Sequence, residues 1–145
     1  MERPVEFFLR GGQLKQFTEQ ELSNLRKKYD LKRIDLEVLY FLSICGNCDT
    51  VANIHEYLSA NKGHVSQTVF RLCERGYVIS EQDKKDRRYV HYQLTREGEV
   101  LAKEISEVWD KIRMEMFEGI SAEDLENFKR ISGQIGENIS KRLLE

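Results

Sequence analysis

The reading turns on "KGHVSQTVFRLCERGYVISEQDKKDRRYVHYQLT", residues 62–95. Its period changes partway along. From Lys62 to Gly76 the apolar residues recur at helical spacing: Val65, Val69 and Leu72 fall on one inward stripe. Gly76 is a natural stop, since glycine adopts at little cost the left-handed backbone that closes many helices. "YVIS" (77–80) is then a short β run and "DKKDRR" (83–88) a turn. "YVHYQLT" (89–95) alternates, with Val90, Tyr92 and Leu94 on one side and His91 and Gln93 on the other. Two strands joined by a charged six-residue loop, "DKKDRR", make a hairpin.

Upstream, "GGQLKQFTEQELSNLRKKY" (11–29) carries Leu14, Phe17, Leu22 and Leu25 at roughly helical spacing and predicts a first helix. "DLEVLYFLSIC" (35–45) is apolar on most sides, which predicts a central helix, and Asp35 is placed to cap it. "TVANIHEYLSAN" (50–61) puts Val51, Ile54 and Leu58 on one stripe of a short third helix. Downstream, Thr95 caps a helix with Leu101, Ile105, Val108, Ile112 and Met116 in register, broken at Gly119. A last helix starts at Ser121, with Asp124 three residues on, and carries Leu125, Phe128, Ile131, Ile135, Ile139 and Leu143. The fold class is therefore mainly α with a small β wing. A winged helix-turn-helix region over 35–98 is flanked by helical dimerisation regions at 5–30 and 99–145, within one unit spanning 1–145. The two final helices are too long and too one-sidedly apolar for so small a core, so a second copy of the chain is their natural partner.

Bulk composition sets limits. The 145 residues are 33% charged and 40% apolar, as in an ordinary soluble protein, with a formal net charge of -2. A nucleic-acid surface would have to be a local basic patch offset by acid elsewhere. No apolar run approaches the roughly 20 residues that cross a bilayer. "MERPVEFFLRGG" makes a poor export signal, so the cytoplasm is the expected location. Neither membrane partner nor cofactor is expected. Enzyme activity has no support: there is no nucleophile–histidine–acid arrangement, phosphate-binding glycine loop or dense ligand cluster.

In a helix-turn-helix the second helix enters the major groove and the first braces it. Here the brace is "TVANIHEYL" and the reader "HVSQTVFRL". With Val65, Val69 and Leu72 inward, the opposite side is expected to carry His64, Gln67, Thr68 and Arg71, with Ser66 near the helix start. Glutamine suits adenine, arginine suits guanine, and serine or threonine suits base edges or phosphates. The wing loop adds Lys84, Lys85, Arg87 and Arg88 for the minor groove or backbone of double-stranded DNA. Asp86 would be repelled by phosphate and instead can hold Arg88 in one orientation, a role that suits arginine's planar fork. For the loop alone, the competing reading is a solvated, charge-rich turn. For the region as a whole, it is a winged helix that binds protein; Arg71, Arg75 and the four loop cations argue against that.

The run over about 36–98 resembles the MarR (multiple-antibiotic-resistance regulator) family of bacterial transcription factors. The resemblance rests on "LCERGYV", "DKKDRR" and "LTREG" in order, and with the flanking helices it covers nearly the whole chain. It implies a homodimer whose base is formed by the first and the last two helices, reading a pseudo-palindromic operator. It implies base contacts between Ser66 and Arg71, and a wing in which Asp86 steers Arg88 toward the minor groove. Most such proteins are repressors relieved by a small ligand or by oxidation, and some activate. The family's ligand pocket, between dimer base and winged domain, would be lined here by Tyr29, Tyr40, Phe41 and Trp109, for which ordinary core or dimer packing at helical spacing is the better explanation.

"CGNC" sets Cys45 and Cys48 at a spacing that suits a redox pair or half of a zinc site. A zinc site would need two further ligands from Cys73, His55, His64 and His91, and no second paired motif is present. The plainer alternative has Cys45 and Cys73 as small buried apolar groups and Cys48 as a loop thiol. The family's usual sensing cysteine lies near the first helix, where this chain has none. A single "RGG" at Arg10–Gly12 is too little to define a basic RNA-binding tail.

Overall fold

The computed structural model describes residues 11–144. The chain divides into two compact units after Asp110. Among the described residues, six helices and one hairpin follow in the order α1 (Gly11–Tyr29), α2 (Arg33–Ile44), α3 (Val51–Leu58), α4 (Lys62–Glu74), β1 (Val78–Gln82), β2 (Val90–Leu94), α5 (Arg96–Met116) and α6 (Ala122–Leu143). The part of the first dimerisation region over 5–10, and Arg10 of the "RGG" triplet, lie outside the described residues.

The core of the first unit forms around α2. Ile34, Leu36, Val38, Leu39 and Phe41 are all buried, which is why that helix shows so little polar face in sequence. Leu22 and Leu25 of α1, Ile54 of α3, Val65, Val69 and Leu72 of α4, Val78, and Leu101 and Ile105 of α5 join the same cluster. Each of these large side chains contributes about 1.5–3 kcal/mol by leaving water. Truncating a central one, Leu39→Ala, would cost about 2–5 kcal/mol through lost burial and the cavity left behind.

The helix ends follow local chemistry. Thr50 caps α3 by accepting from the Asn53 amide at 3.3 Å, and Ser121 caps α6 by accepting from Asp124 at 3.1 Å. Asp35 is a correction. The helix begins two residues earlier, at Arg33, and Asp35 sits inside its first turn, where Oδ2 accepts from the Lys32 amide at 2.7 Å. Its carboxylate is buried, because a partner outside the helix holds the other oxygen. At the far end of α4, Gly76 takes φ +79°. The Tyr77 amide then reaches back to the Leu72 carbonyl at 3.0 Å and the Gly76 amide to Cys73 at 3.1 Å, closing the helix in a Schellman turn.

The hairpin is antiparallel, pairing Val78 with Leu94 through Gln82 with Val90. Its first strand runs two residues past "YVIS", and Tyr89 belongs to the loop (83–89) rather than to the second strand. The base of the hairpin is tight. Thr95 donates its amide to the Tyr77 carbonyl at 3.0 Å and its hydroxyl to the Gly76 carbonyl at 2.6 Å. A β-carbon on Gly98 would stand 2.0 Å from that Tyr77 oxygen, so the first turn of α5 admits only glycine there.

In the second unit α6 buries none of its residues within the single chain. Phe117 and Phe128 approach each other at 5.9 Å between ring centres, while Ile131, Ile139 and Leu143 are exposed.

Candidate nucleic-acid interface

The reader helix α4 is fixed at its start by Asn61, whose side chain accepts from the Gly63 amide at 2.8 Å. Its inward stripe is Val65, Val69 and Leu72, as the spacing predicts. His64, Ser66 and Gln67 are exposed on the outer side. Two side chains expected on that side are directed elsewhere. Thr68 is fully buried: on the helical wheel it falls beside Leu72 at the edge of the apolar stripe, and its hydroxyl is satisfied by donating to the His64 carbonyl at 2.8 Å, four residues back. Arg71 is drawn toward α2, where Nη2 donates to Oδ1 of buried Asp35 in an ion pair. Burial of an unpaired carboxylate is costly, so the long arginine side chain goes to Asp35 rather than to the outer face. Arg75 is diverted as well. It donates to the Asp30 carbonyl at 2.6 Å and to that of Tyr29, sealing the end of α1. The outward strip instead includes Phe70, 64% exposed, which sequence reasoning passed over. Its signal was available in the positions Gly63, Gln67, Phe70 and Glu74, which recur at the helical period on the side opposite the apolar stripe.

On the wing, Asp86 and Arg88 form a two-pronged pair. Nη2 donates to Oδ2 at 2.7 Å and Nε to Oδ1 at 3.0 Å, while the Arg88 side chain stays 84% exposed. The Arg88 side chain, then its amide, lower the Asp86 pKa. The geometry holds the guanidinium flat at the loop edge with its remaining N–H donors toward solvent. Lys84, Lys85 and Arg87 are exposed around it.

The loop itself is held by a group whose partners sequence reasoning did not foresee. Oδ1 of Asp83 accepts from the Lys85 and Asp86 amides, each at 2.8 Å, folding the turn. Its Oδ2 meets Nε2 of His91 at 2.8 Å, and Nδ1 of the same ring meets Oδ1 of buried Asp49, in the α2–α3 connection. The Tyr92 amide also donates to the Asp49 carbonyl at 3.0 Å. His91 is thus a clasp between wing and helix-turn-helix rather than a surface contact. Hydrogen bonds to Asp83 and then Asp49 raise its pKa above 6.5, and the loop amides with His91 lower Asp83 to about 2.

Two of the four aromatics proposed for a pocket come together. Tyr40 and Trp109 lie 6.4 Å apart, Phe41 packs on Tyr57 at 4.7 Å, and the Tyr29 hydroxyl donates to Glu104 at 2.6 Å. Trp109 also stacks under the Arg33 guanidinium. A cavity of about 570 Å³ lies elsewhere, between the end of α2, β2 and α5. Cys48 is exposed and Cys45 and Cys73 are partly buried, with burial pushing both of those thiols up in pKa. A low thiol pKa favours reactivity, and burial works against it at both positions. Among the described residues no group of three or more histidine, cysteine or acidic side chains is placed to hold a metal ion. Among those residues, too, no helix is long and apolar enough to cross a membrane.

A braced reader helix followed by a two-stranded wing defines a winged helix-turn-helix protein. Residues 31–98 match the family of winged helix DNA-binding domains. Solved structures extend the likeness to the flanking helices. A MarR/EmrR family transcriptional regulator from an Acinetobacter species matches with TM-score 0.80 at 17% identity, over 97% of this chain and 99% of that one. The S. aureus MepR–DNA complex matches at 0.76 and 18%, over 95% and 96%. A MarR family protein from Bacillus stearothermophilus matches at 0.72 and 22%, over 94% and 93%. The chain has the MarR-family winged helix-turn-helix fold.

Proposed function

We propose that the chain is a sequence-specific regulator of transcription that binds double-stranded DNA as a homodimer. The observation that carries this reading is the wing: an almost fully exposed arginine, Arg88, held flat by a carboxylate at the edge of a basic loop. Such an arrangement has little value for stability, since exposed ion pairs contribute about 0–1 kcal/mol. It does pre-orient a cation for the negative potential of a minor groove. His64, Ser66 and Gln67 offer hydrogen-bonding groups on the adjacent reader helix. Dimerisation is supported by the exposed apolar residues of α6, which water does not stabilise. Two copies would read half-sites about one helical turn, roughly 10 base pairs, apart. Repression relieved by a small ligand is the regulatory mode that fits the fold family, and the MepR–DNA complex is the kind of assembly expected.

The test is selection from random duplexes with the full chain, followed by a salt titration on the recovered site. Sedimentation should give twice the chain mass. Binding should favour a two-fold symmetric sequence and weaken steeply with salt. Equal affinity for every duplex would overturn the reading. A protein-binding winged helix is the second reading, favoured by exposed Phe70 on the reader face. It predicts a folded chain with no duplex preference.

A further inference from the structure

We propose that Phe70 reads thymine: its ring packs on the 5-methyl group of one thymine in each half-site and selects an A·T pair there. The inference rests on the DNA-binding reading above and names a specificity-determining residue within it. Four observations support it. Phe70 is 64% exposed while its neighbour Val69 is 1% and Leu72 0% exposed, so the ring is presented outward by a helix whose other side is locked in the core. It lies on the outward strip, one turn beyond Gln67. Arg71, the residue best suited to guanine on this helix, is committed to Asp35. Thr68 is buried. What remains in the third turn of the reader is an apolar surface with no donor and no acceptor.

Base chemistry then limits the choice. In the major groove guanine shows two acceptors, cytosine a donor, and adenine an acceptor and a donor; thymine alone adds a methyl group. A phenyl ring facing a donor or acceptor strips it of water and returns nothing, which penalises the other bases. Facing a methyl group, it removes apolar surface on both sides from water. Gln67 on the same strip carries the amide that pairs with adenine, so the two adjacent turns favour the same class of base pair. Glu74, the next residue on the strip, is exposed and would be repelled by phosphate, which makes Phe70 the last reading position toward the end of the helix.

The experiment exchanges single thymines for deoxyuridine in the duplex that the full chain recovers by selection. This removes the methyl group and leaves every hydrogen-bonding group in place. In wild-type protein, one position per half-site should lose affinity by about fourfold, the worth of one buried methyl group. Phe70→Ala should bind the thymine duplex more weakly by at least that factor and show no further loss with uracil at that position. Phe70→Leu, still apolar, should keep part of the sensitivity. Circular dichroism should find all three proteins equally helical, because the ring is outside the core. A uracil profile unchanged by Phe70→Ala, or no thymine position that matters in wild type, overturns the proposal while the DNA-binding reading stands. Failure of the wild-type chain to prefer any duplex overturns both.

Discussion

Asp35 and Arg71 lie 36 residues apart and meet between α2 and α4, whereas Asp86 and Arg88 are two residues apart and meet on the wing. The same two side-chain types serve opposite ends. Asp35 is 1% exposed, also caps the Lys32 amide, and pulls Arg71 out of the outward face of α4. Asp86 is itself partly exposed, and its arginine stays 84% in solvent. The first pair organises the scaffold and removes a cation from the proposed interface. The second leaves the scaffold alone and offers a cation to it. What separates them is where the carboxylate sits: a buried acid recruits its partner inward, and an exposed one only aims it.

The sharpest way to break this contrast is at Asp35. Asp35→Ala should lower unfolding stability by about 3 kcal/mol, since it strands a half-buried guanidinium and frees the Lys32 amide. Replacing both partners with apolar residues, Asp35→Leu with Arg71→Met, should recover much of that loss in a urea titration. If Asp35→Ala unfolds at the wild-type midpoint, the two pairs are alike after all. Arg88→Ala should do the reverse. It should leave the urea midpoint in place and weaken duplex binding by about 10- to 100-fold. Asp86→Ala should also weaken binding, and the double variant should be little worse than Arg88→Ala, because nothing is left to orient. Tighter binding on removal of Asp86 would reduce that residue to simple repulsion.

The smallest expected effect concerns the clasp. His91 has a folded pKa above its ordinary value, so its stabilising contribution is complete below about pH 6.5 and is lost as pH rises through the raised value. Asp83, lowered to about 2, contributes above about pH 4 and loses that contribution as pH falls toward 2. Between those limits both ring nitrogens donate. Above them neutral imidazole keeps one N–H for two carboxylates, and one bond goes. Hydrogen exchange at the Lys85 and Asp86 amides, corrected for its intrinsic pH dependence, should show protection declining on the alkaline side. His91→Ala should remove that step, and a pH-independent protection in wild type would count against the clasp.

The helices and the hairpin were legible because each depends on local period, cap and turn chemistry. The stripe of α4 and the glycine that ends it could be read residue by residue, and the Asp86–Arg88 pairing spans only two positions. Contacts between distant segments could not be read this way. Nothing near Asp35 reveals that Arg71 will claim it, and nothing near His91 points to Asp49, 42 residues earlier. Thr68 was misplaced for a different reason. Its hydroxyl suggested an outer face, yet the helix backbone supplies the acceptor, so the residue packs inward like a valine. Phe70 was missed because an apolar residue in a helix invites assignment to the core even where the period puts it outside.

The clasp at His91 has a mechanical meaning. It joins the wing loop to the turn ahead of α3, so brace, reader and wing are linked at both ends of the hairpin. The wing is then less a flexible arm than the far jaw of a caliper. If the proposed dimer binds an effector, two stiff calipers leave the gap between them, rather than slack in either one, as the quantity available to change. The quantity it shifts would be spacing: operators lengthened or shortened by a base pair at the centre should exchange rank when effector is added, while changes within a half-site keep theirs.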